Sequence, residues 1–531
     1  MDDEATVGEF LIGILPRFRR DKSLPSWPPD CFGLCLALLK RTGAYAQLLQ
    51  HWPPGPANSR ALKRWTTWAS KLGGEWRKSW QSTESFDGVD QEWQVVRESF
   101  EVPLREAQDR HALCEALMKL VVLADEACEG VGAPQKQTVH EYDRLLDTAS
   151  AFLTTWGTLC YRVSRSRLRV FPKMHTPQTG LTDRSLSHYL CLCDSSEVTP
   201  HWLTNSFLPS DSMNLLLIPW PFEVLANEFQ AATDASATLP ENFGFFAFTH
   251  DPENRPGDVT KCVEALYAEA KRKLGRIDGV VLPELSITDG QFAAIRKMLP
   301  PECFIVAGVG RSNSNGQRAT NEVKLSFPTL EDVVQKKHHP WKLDESQVIQ
   351  YGLGGGLSPY REWWEYIDCT DRHLNFISIS EDLVLCALIC EDLARPDPVA
   401  NIVRAVGPNL VVALLMDGPQ TKERWAARYA TVLADDPGCS VLSLTSLGMS
   451  QLSSPEMGKP SRSRVVALWK DRFKVALEIE LPLGKQAVAI SLSTRYHQEF
   501  TADGRGDGGN AAFPILSGVH PIGAAAASEP R

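Results

Sequence analysis

Apolar positions recur with helical spacing from the start of the chain to about residue 165. Phe32, Cys35, Leu36, Leu38, Leu39, Leu48 and Leu49 line one such segment, with Asp30 placed to cap it. Trp65, Trp68, Trp76 and Trp80 keep one side of the next segment aromatic, which reads as a packing face rather than a ligand platform. Further helices are predicted over 106–129 and 139–161, separated by breaks at Pro53-Pro54-Gly55-Pro56 and Gly130-Val131-Gly132-Ala133-Pro134.

The pattern changes at Leu168. Short extended pieces, Leu168 to Phe171 and Leu186 to Cys193, lead to a polar connection around Thr204 to Ser212. Beyond it, apolar runs of strand length alternate with helical stretches. The runs are Leu215 to Ile218, Phe245 to Phe248, Gly279 to Leu282, Phe304 to Val309, Leu383 to Cys390, Leu410 to Met416 and Ser440 to Leu444. Val259, Val263, Leu266, Ala270 and Leu274 mark one helix face between them. Continuous apolar strands interleaved with helices predict an α/β core whose sheet is covered. Val465 to Trp469, Val475 to Leu481 and Ala487 to Leu492 close it with strands. The expected organisation is a mainly helical domain over 1–205, an α/β domain over 212–495 and a flexible Gly/Ala-rich tail over 500–531.

Charge narrows the functional classes. Lys and Arg number 55 against 65 Asp and Glu, a formal charge of −10, which disfavours bulk binding to nucleic acid or an anionic membrane. The cluster Arg162, Arg165, Arg167 and Arg169 could meet phosphate locally, but a solvated rim is the simpler reading. The opening Met1-Asp2-Asp3-Glu4 lacks a basic, apolar leader, and no apolar run approaches the ~20 residues that span a bilayer. A cytoplasmic location follows as the expectation, with the thirteen cysteines as reduced thiols. Cys31/Cys35 and Cys191/Cys193 lack a second pair at zinc spacing, and no metal or organic cofactor is expected.

Three strand ends carry the inventory for acyl transfer from a carbon–nitrogen bond. Val280-Val281-Leu282-Pro283-Glu284 brings a carboxylate out of a dry strand. Gln335-Lys336-Lys337-His338-His339-Pro340 ends an extended stretch with an ammonium, and alternation sends only one of the two lysines into a cleft. Leu388-Ile389-Cys390-Glu391-Asp392-Leu393 sets a thiol at a strand terminus before a helix predicted through Val399 to Ala405. A helix start there would favour a thiolate and an adjacent oxyanion.

In their order and context these three stretches resemble the nitrilase, or carbon–nitrogen hydrolase, superfamily, over roughly residues 212 to 495. The resemblance implies an α-β-β-α sandwich, a Glu-Lys-Cys triad and pairing of sandwiches in a homodimer or larger homo-oligomer. Position by position it makes Glu284 the general base, Lys337 the triad lysine and Cys390 the nucleophile, with Glu345 as a second glutamate orienting lysine or substrate. The backbone N–H of Glu391 is a natural oxyanion donor. Asp417-Gly418-Pro419-Gln420 and Thr445-Ser446-Leu447-Gly448 depart from the superfamily pattern at the expected substrate pocket. Asp417 reads either as recognising a cationic or hydroxyl-bearing substrate or as a turn former before Gly-Pro. His338 and His339 read as structural or surface residues, and Gly352-Leu353-Gly354-Gly355-Gly356 as a flexible insertion placed to act as a lid.

The expected activity is cleavage of an amide-type bond in a small molecule through a Cys390 acyl-enzyme. The alternative is a small-molecule sensor or partner-activated interaction protein in signalling or host defence, its protein partner meeting the N-terminal helices.

Overall fold

A computed structural model describes residues 4–53, 59–82, 85–132, 143–193, 197–205, 211–232, 240–249, 258–311, 318–380, 382–453 and 463–523. Two seven-stranded sheets form its centre. The first runs, edge to edge, Val333–Lys336, Thr320–Ser326, Phe304–Arg311, Gly279–Ile287, Ser212–Leu217, Ala487–His497 and Ala511–Ile522. The second runs Leu477–Glu480, Val465–Lys470, Ser440–Thr445, Leu410–Leu415, Val384–Ile389, His373–Ser378 and Thr199–Thr204. Each has parallel strands at its middle, where both faces are covered and the sequence is continuously apolar.

The sheets pack face to face, with Leu410–Leu415 against Gly279–Ile287. Alternation in the first sheet shows the layering. Leu215, Leu217 and Val281 join the core between the sheets, while Leu216, Val280 and Leu282 join a second core with helices Val259–Leu274 and Asp289–Met298. Trp425–Asp435 covers the second sheet. The result is a helix-sheet-sheet-helix sandwich. A four-stranded sheet, Lys342–Leu343, Glu362–Glu365, Phe243–Phe248 and Phe229–Ala231, stands beside it.

The N-terminal part is helical, with the longest helices at Pro28–Thr42, Ser59–Ser82, His111–Ala127 and Arg144–Trp156. Trp65 and Trp76 are buried in the Ser59–Ser82 helix, and the Trp76 and Trp80 indoles both donate to the Ser26 carbonyl, so this aromatic side packs. Asp30 does not cap its helix. It lies inside the first turn, where its carboxylate accepts the backbone N–H groups of Tyr161, Arg162 and Val163. Burial pushes its pKa up to about 6.

Two boundaries need correction. Thr199–Thr204, placed by sequence in the helical part, is the edge strand of the second sheet and runs parallel to His373–Ser378. Residues 511–522, placed in the tail, form a strand paired with Ala487–His497 along its whole length. The glycine-rich stretch 504–509 is the connection that precedes it, and Ala524 to Ala527 fall outside the described residues. Ala133 and Pro134, Pro54 to Pro56 and most of the 204–212 connection also fall outside them.

The helical part and the sandwich share one continuous core. Arg505, fully buried in the connection before the last strand, ties them together: its guanidinium meets Asp125 at 3.2 Å, Asp503 at 3.0 Å and Glu126, and donates to the Leu186 carbonyl. Asp125 in turn accepts the backbone N–H groups of His188, Tyr189 and Leu190. Replacing Arg505 with Met strands these carboxylates in a dry environment, a loss of about 3–5 kcal/mol. Urea unfolding of R505M is expected to show a midpoint lowered accordingly, and a native midpoint would remove this cluster as the tie.

Candidate active site

Glu284 reaches the cleft because its strand breaks register. Leu282 pairs with Ala307, but the next pair is Ile287 with Val309, so the intervening residues bulge. Regular alternation would send Glu284 to the helix-covered face with Val280 and Leu282; the bulge, with Leu285 at φ 50, re-aims it. Gly308 makes room, since a β-carbon there would lie 2.3 Å from the Pro283 carbonyl oxygen and 2.4 Å from Glu284 Cα.

Alternation also separates the lysines. Lys336 pairs with Asp368 at 2.8 Å near the surface. Lys337 turns inward, 1% exposed, and its Nζ donates to Glu284 Oε1 at 2.8 Å and to Glu365 Oε2 at 2.7 Å. Asn321 donates through Nδ2 to both carboxylates, at 2.7 Å to Glu284 Oε1 and 2.8 Å to Glu365 Oε1. The second carboxylate on the lysine is therefore Glu365, at the end of Glu362–Glu365, whereas Glu345 is exposed in the first turn of helix Glu345–Gln350. This corrects the expectation for Glu345: being eight residues on in sequence, it is carried away by the helix that begins there.

Cys390 follows strand Val384–Ile389 at φ 47, a left-handed backbone rare outside glycine, and is 2% exposed. A short 3₁₀ turn, Cys390–Leu393, comes next; the α-helix starts only at Asn401, so a helix terminus does not sit at the sulfur as sequence suggested. Asp392 fixes this turn to the lysine loop. Its carboxylate accepts the backbone N–H groups of His338 and His339 at 3.0–3.1 Å and lies 3.0 and 3.1 Å from their Nδ1 atoms. Gln335 adds a second tie, donating to the Ala387 carbonyl and accepting from the Asn375 backbone.

The electrostatics set resting protonation states. Burial lowers the Lys337 pKa, but Glu284, Glu365 and Cys390 more than offset it and hold the group well above an ordinary lysine. Burial raises Glu284, opposed by Lys337 and reinforced by Glu365. Burial and then Glu284 push the Cys390 thiol well up, against Lys337. The resting sulfur is thus a thiol that needs a base. Glu284 Oε1 is doubly occupied, while Oε2 is buried with no hydrogen-bond partner among the described residues.

Cys390 opens into a cavity of about 200 Å³ bordered by Trp341, Gln347, Glu391, Arg395, Asp417 and Trp425. The Glu391 carboxylate is held by Arg395 at 2.8 Å. Asp417 is not free to recognise a substrate through its side chain: it accepts from Tyr351 Oη at 2.7 Å, Arg424 at 2.5 Å and Trp425 Nε1 at 2.9 Å. Tyr351, Leu353 and Leu357 are buried, so the glycine-rich insertion is a packed wall rather than a lid.

Sequence reasoning missed Glu365, Asn321 and Asp392. Trp363-Trp364-Glu365 did carry a signal, because alternation puts Glu365 on the face of buried Trp363. Asp392→Ala would leave buried N–H groups unpaired, a loss of about 1–3 kcal/mol each. The native carboxyl pKa is lowered to about 2 against ~3.9 unfolded, so its stabilisation is complete above pH ~4 and lost as pH falls through about 2. Urea midpoints of native protein and D392A should differ at pH 6 and converge towards pH 2; a constant gap would refute the assignment.

No protein-family model and no curated protein sequence matches the chain. Among solved structures it is similar to Nit3 of Saccharomyces cerevisiae, a member of branch 10 of the nitrilase superfamily, at 10% identity and TM-score 0.34, covering 54% of this chain and 93% of that one. It is similar to an amidase from Nesterenkonia sp. at 12% identity and TM-score 0.32, covering 54% and 92%. A carbon–nitrogen hydrolase superfamily protein from Xanthomonas campestris, carrying an arsenic adduct in its active site, matches at 14% identity and TM-score 0.30, covering 53% and 91%. Just over half of the chain thus resembles structures of the nitrilase superfamily.

Proposed function

We propose that the chain is a thiol hydrolase that cleaves an amide-type carbon–nitrogen bond through an acyl-Cys390 intermediate. The observation that carries this reading is the free Oε2 of Glu284, a buried carboxylate oxygen with no hydrogen-bond partner among the described residues, while its Oε1 is held by Lys337 and Asn321. It is the natural acceptor for a thiol proton.

The steps follow from the charges. Glu284 takes the Cys390 proton as sulfur attacks the carbonyl carbon, and the C=O pair moves onto oxygen. The Lys337 ammonium and the Glu391 backbone N–H stabilise that oxyanion. Glu284 passes its proton to the departing nitrogen, the C–N bond breaks, and ammonia or an amine leaves. Water then gives a proton to Glu284 and attacks the thioester carbon; the C–S bond breaks, and the departing sulfur takes that proton back from Glu284, restoring the thiol and the carboxylate and releasing the acid. Glu365 and Asn321 act as positioning residues that hold Lys337 and Glu284. No metal or organic cofactor is called for in these steps. Trp341 and Trp425 give the pocket apolar walls, which favour an acyl group of modest size.

Incubation with a panel of short aliphatic and aromatic amides should release ammonia from native protein and none from Cys390→Ala; equal release from both would refute the nucleophile. Glu284→Gln should lower kcat/KM by about 10²–10⁴. The base form of Glu284 is required and burial holds its pKa above the ordinary carboxylate range, so activity is lost as pH falls through that raised value. Iodoacetamide alkylation of Cys390 followed against pH should show an acid limb above the ordinary carboxylate range, absent in E284Q. An identical profile in E284Q would remove Glu284 as the base.

A further inference from the structure

The two stretches that depart from the superfamily pattern, one beginning at Asp417 and the other at Thr445, meet in space. Each lies at the end of a central strand of the second sheet, Leu410–Leu415 or Ser440–Thr445, and these strands are parallel neighbours. The Thr445 hydroxyl donates to the Asp417 carbonyl and accepts from its backbone N–H at 3.3 Å, which fixes Asp417 at the border of the Cys390 cavity. From there its carboxylate, 5% exposed, gathers three donors. Oδ1 accepts from Tyr351 Oη at 2.7 Å and from Arg424 at 2.5 Å, and Oδ2 accepts from Trp425 Nε1 at 2.9 Å. Gly418 leaves room for Arg424, since a β-carbon there would lie 3.1 Å from the guanidinium carbon.

Two of those donors carry the aromatic walls of the cavity. Trp425, half-buried, borders it directly. Tyr351 stands behind Trp341, the second bordering indole: the two rings meet nearly perpendicular at 5.7 Å, while Phe246 at 5.9 Å and Phe229 at 6.3 Å close on the same indole. The Trp341 backbone is held in turn by Glu365 at 2.9 Å. One carboxylate therefore holds one indole by its N–H and braces the other through a phenol. Turning the Trp425 ring away, or sliding Tyr351 out, breaks a charge-assisted hydrogen bond.

We propose that Asp417 is a positioning residue that sets the size limit of the acyl group. By pinning Trp425 and, through Tyr351, Trp341, it holds the cavity at about 200 Å³ and excludes acyl groups that need either indole to move. Its charge is matched by Arg424 and takes no part in binding. As a statement about substrate choice this rests on the hydrolytic reading, whereas the pinned wall does not, because it limits the access of any electrophile to Cys390.

The test is alkylation of Cys390 in the full chain by iodoacetamide and by a bulky N-naphthyl iodoacetamide, each rate divided by that of N-acetylcysteine with the same reagent. Native protein should favour the small reagent by about tenfold or more. Asp417→Asn puts an NH₂ group where an oxygen accepted, a donor facing donors, so the preference should fall about fivefold in protein that keeps its native near-ultraviolet circular dichroism. Tyr351→Phe removes one hydroxyl behind the wall and should lower the preference about twofold. No preference in native protein, or a native ratio in folded D417N, overturns the wall; should D417N not fold, a native ratio in Y351F does so. A native ratio in Y351F beside a lowered one in D417N overturns the part played through Trp341. The kcat/KM ratio of short to bulky amides should fall in the same variants, and an unchanged amide ratio beside a changed alkylation ratio overturns the limit on the acyl group. Absence of hydrolysis by native protein overturns the hydrolytic reading, and the limit on acyl size with it, while the alkylation ratios still judge the wall.

Discussion

One buried ammonium organises the candidate site. Lys337 is held between Glu284 and Glu365, with Asn321 bridging the same two carboxylates, so the cluster carries one net negative charge in a dry environment. Removing an ion from water costs several kcal/mol, recovered only where its partners are in good geometry. The fold must therefore deliver three distant pieces of chain to one point. Glu284 comes from the first sheet, Lys337 from the end of that sheet's edge strand, and Glu365 from the small sheet beside the sandwich. Burial, and after it the Glu284 carboxylate, pushes the neighbouring Cys390 thiol well up against the pull of Lys337.

Backbone strain sits at the same place. Among the described residues, three non-glycine positions have positive φ, and two of them are Leu285, beside Glu284, and Cys390 itself. Such conformations cost of order 1–3 kcal/mol and persist where the surroundings over-determine them. Here the surroundings are identifiable. Gly308 admits the bulge under Glu284, and Asp392 clamps the turn after Cys390 to two consecutive backbone N–H groups of the lysine loop. The lysine and the thiol are thus positioned relative to one another by a charged hydrogen-bond node that takes no part in the chemistry.

Legibility in the sequence followed physical locality. The central strands of both sheets could be read because parallel strands buried on both faces are continuously apolar, as at Val280–Leu282 and Leu410–Leu415. The placement of Lys337 and Cys390 just after strand ends was also readable, since each ends a local pattern, whereas Glu284 sits in a bulge within Gly279–Ile287 rather than where the strand stops. Glu365 was not, because it lies 28 residues beyond Lys337 and reaches it through a separate sheet. The same holds for the last strand. Ala511–Ile522 follows a glycine-rich connection and contains Pro514 and Pro521, which read as breaks, yet an outermost strand tolerates proline because one side of its ladder is unpaired.

The edge of the other sheet explains why the helical part is not an appendage. The second sheet ends in Thr199–Thr204, and an open strand edge is a template for unwanted pairing. Helix Arg144–Trp156 packs against this strand, and the hairpin Arg169–Pro172 with Leu190–Cys193 carries the core on into the remaining helices. From the other end of the chain, Arg505 enters the same helices and neutralises Asp125 and Asp503. Helices and sandwich therefore cannot separate without exposing a sheet edge and stranding buried charge.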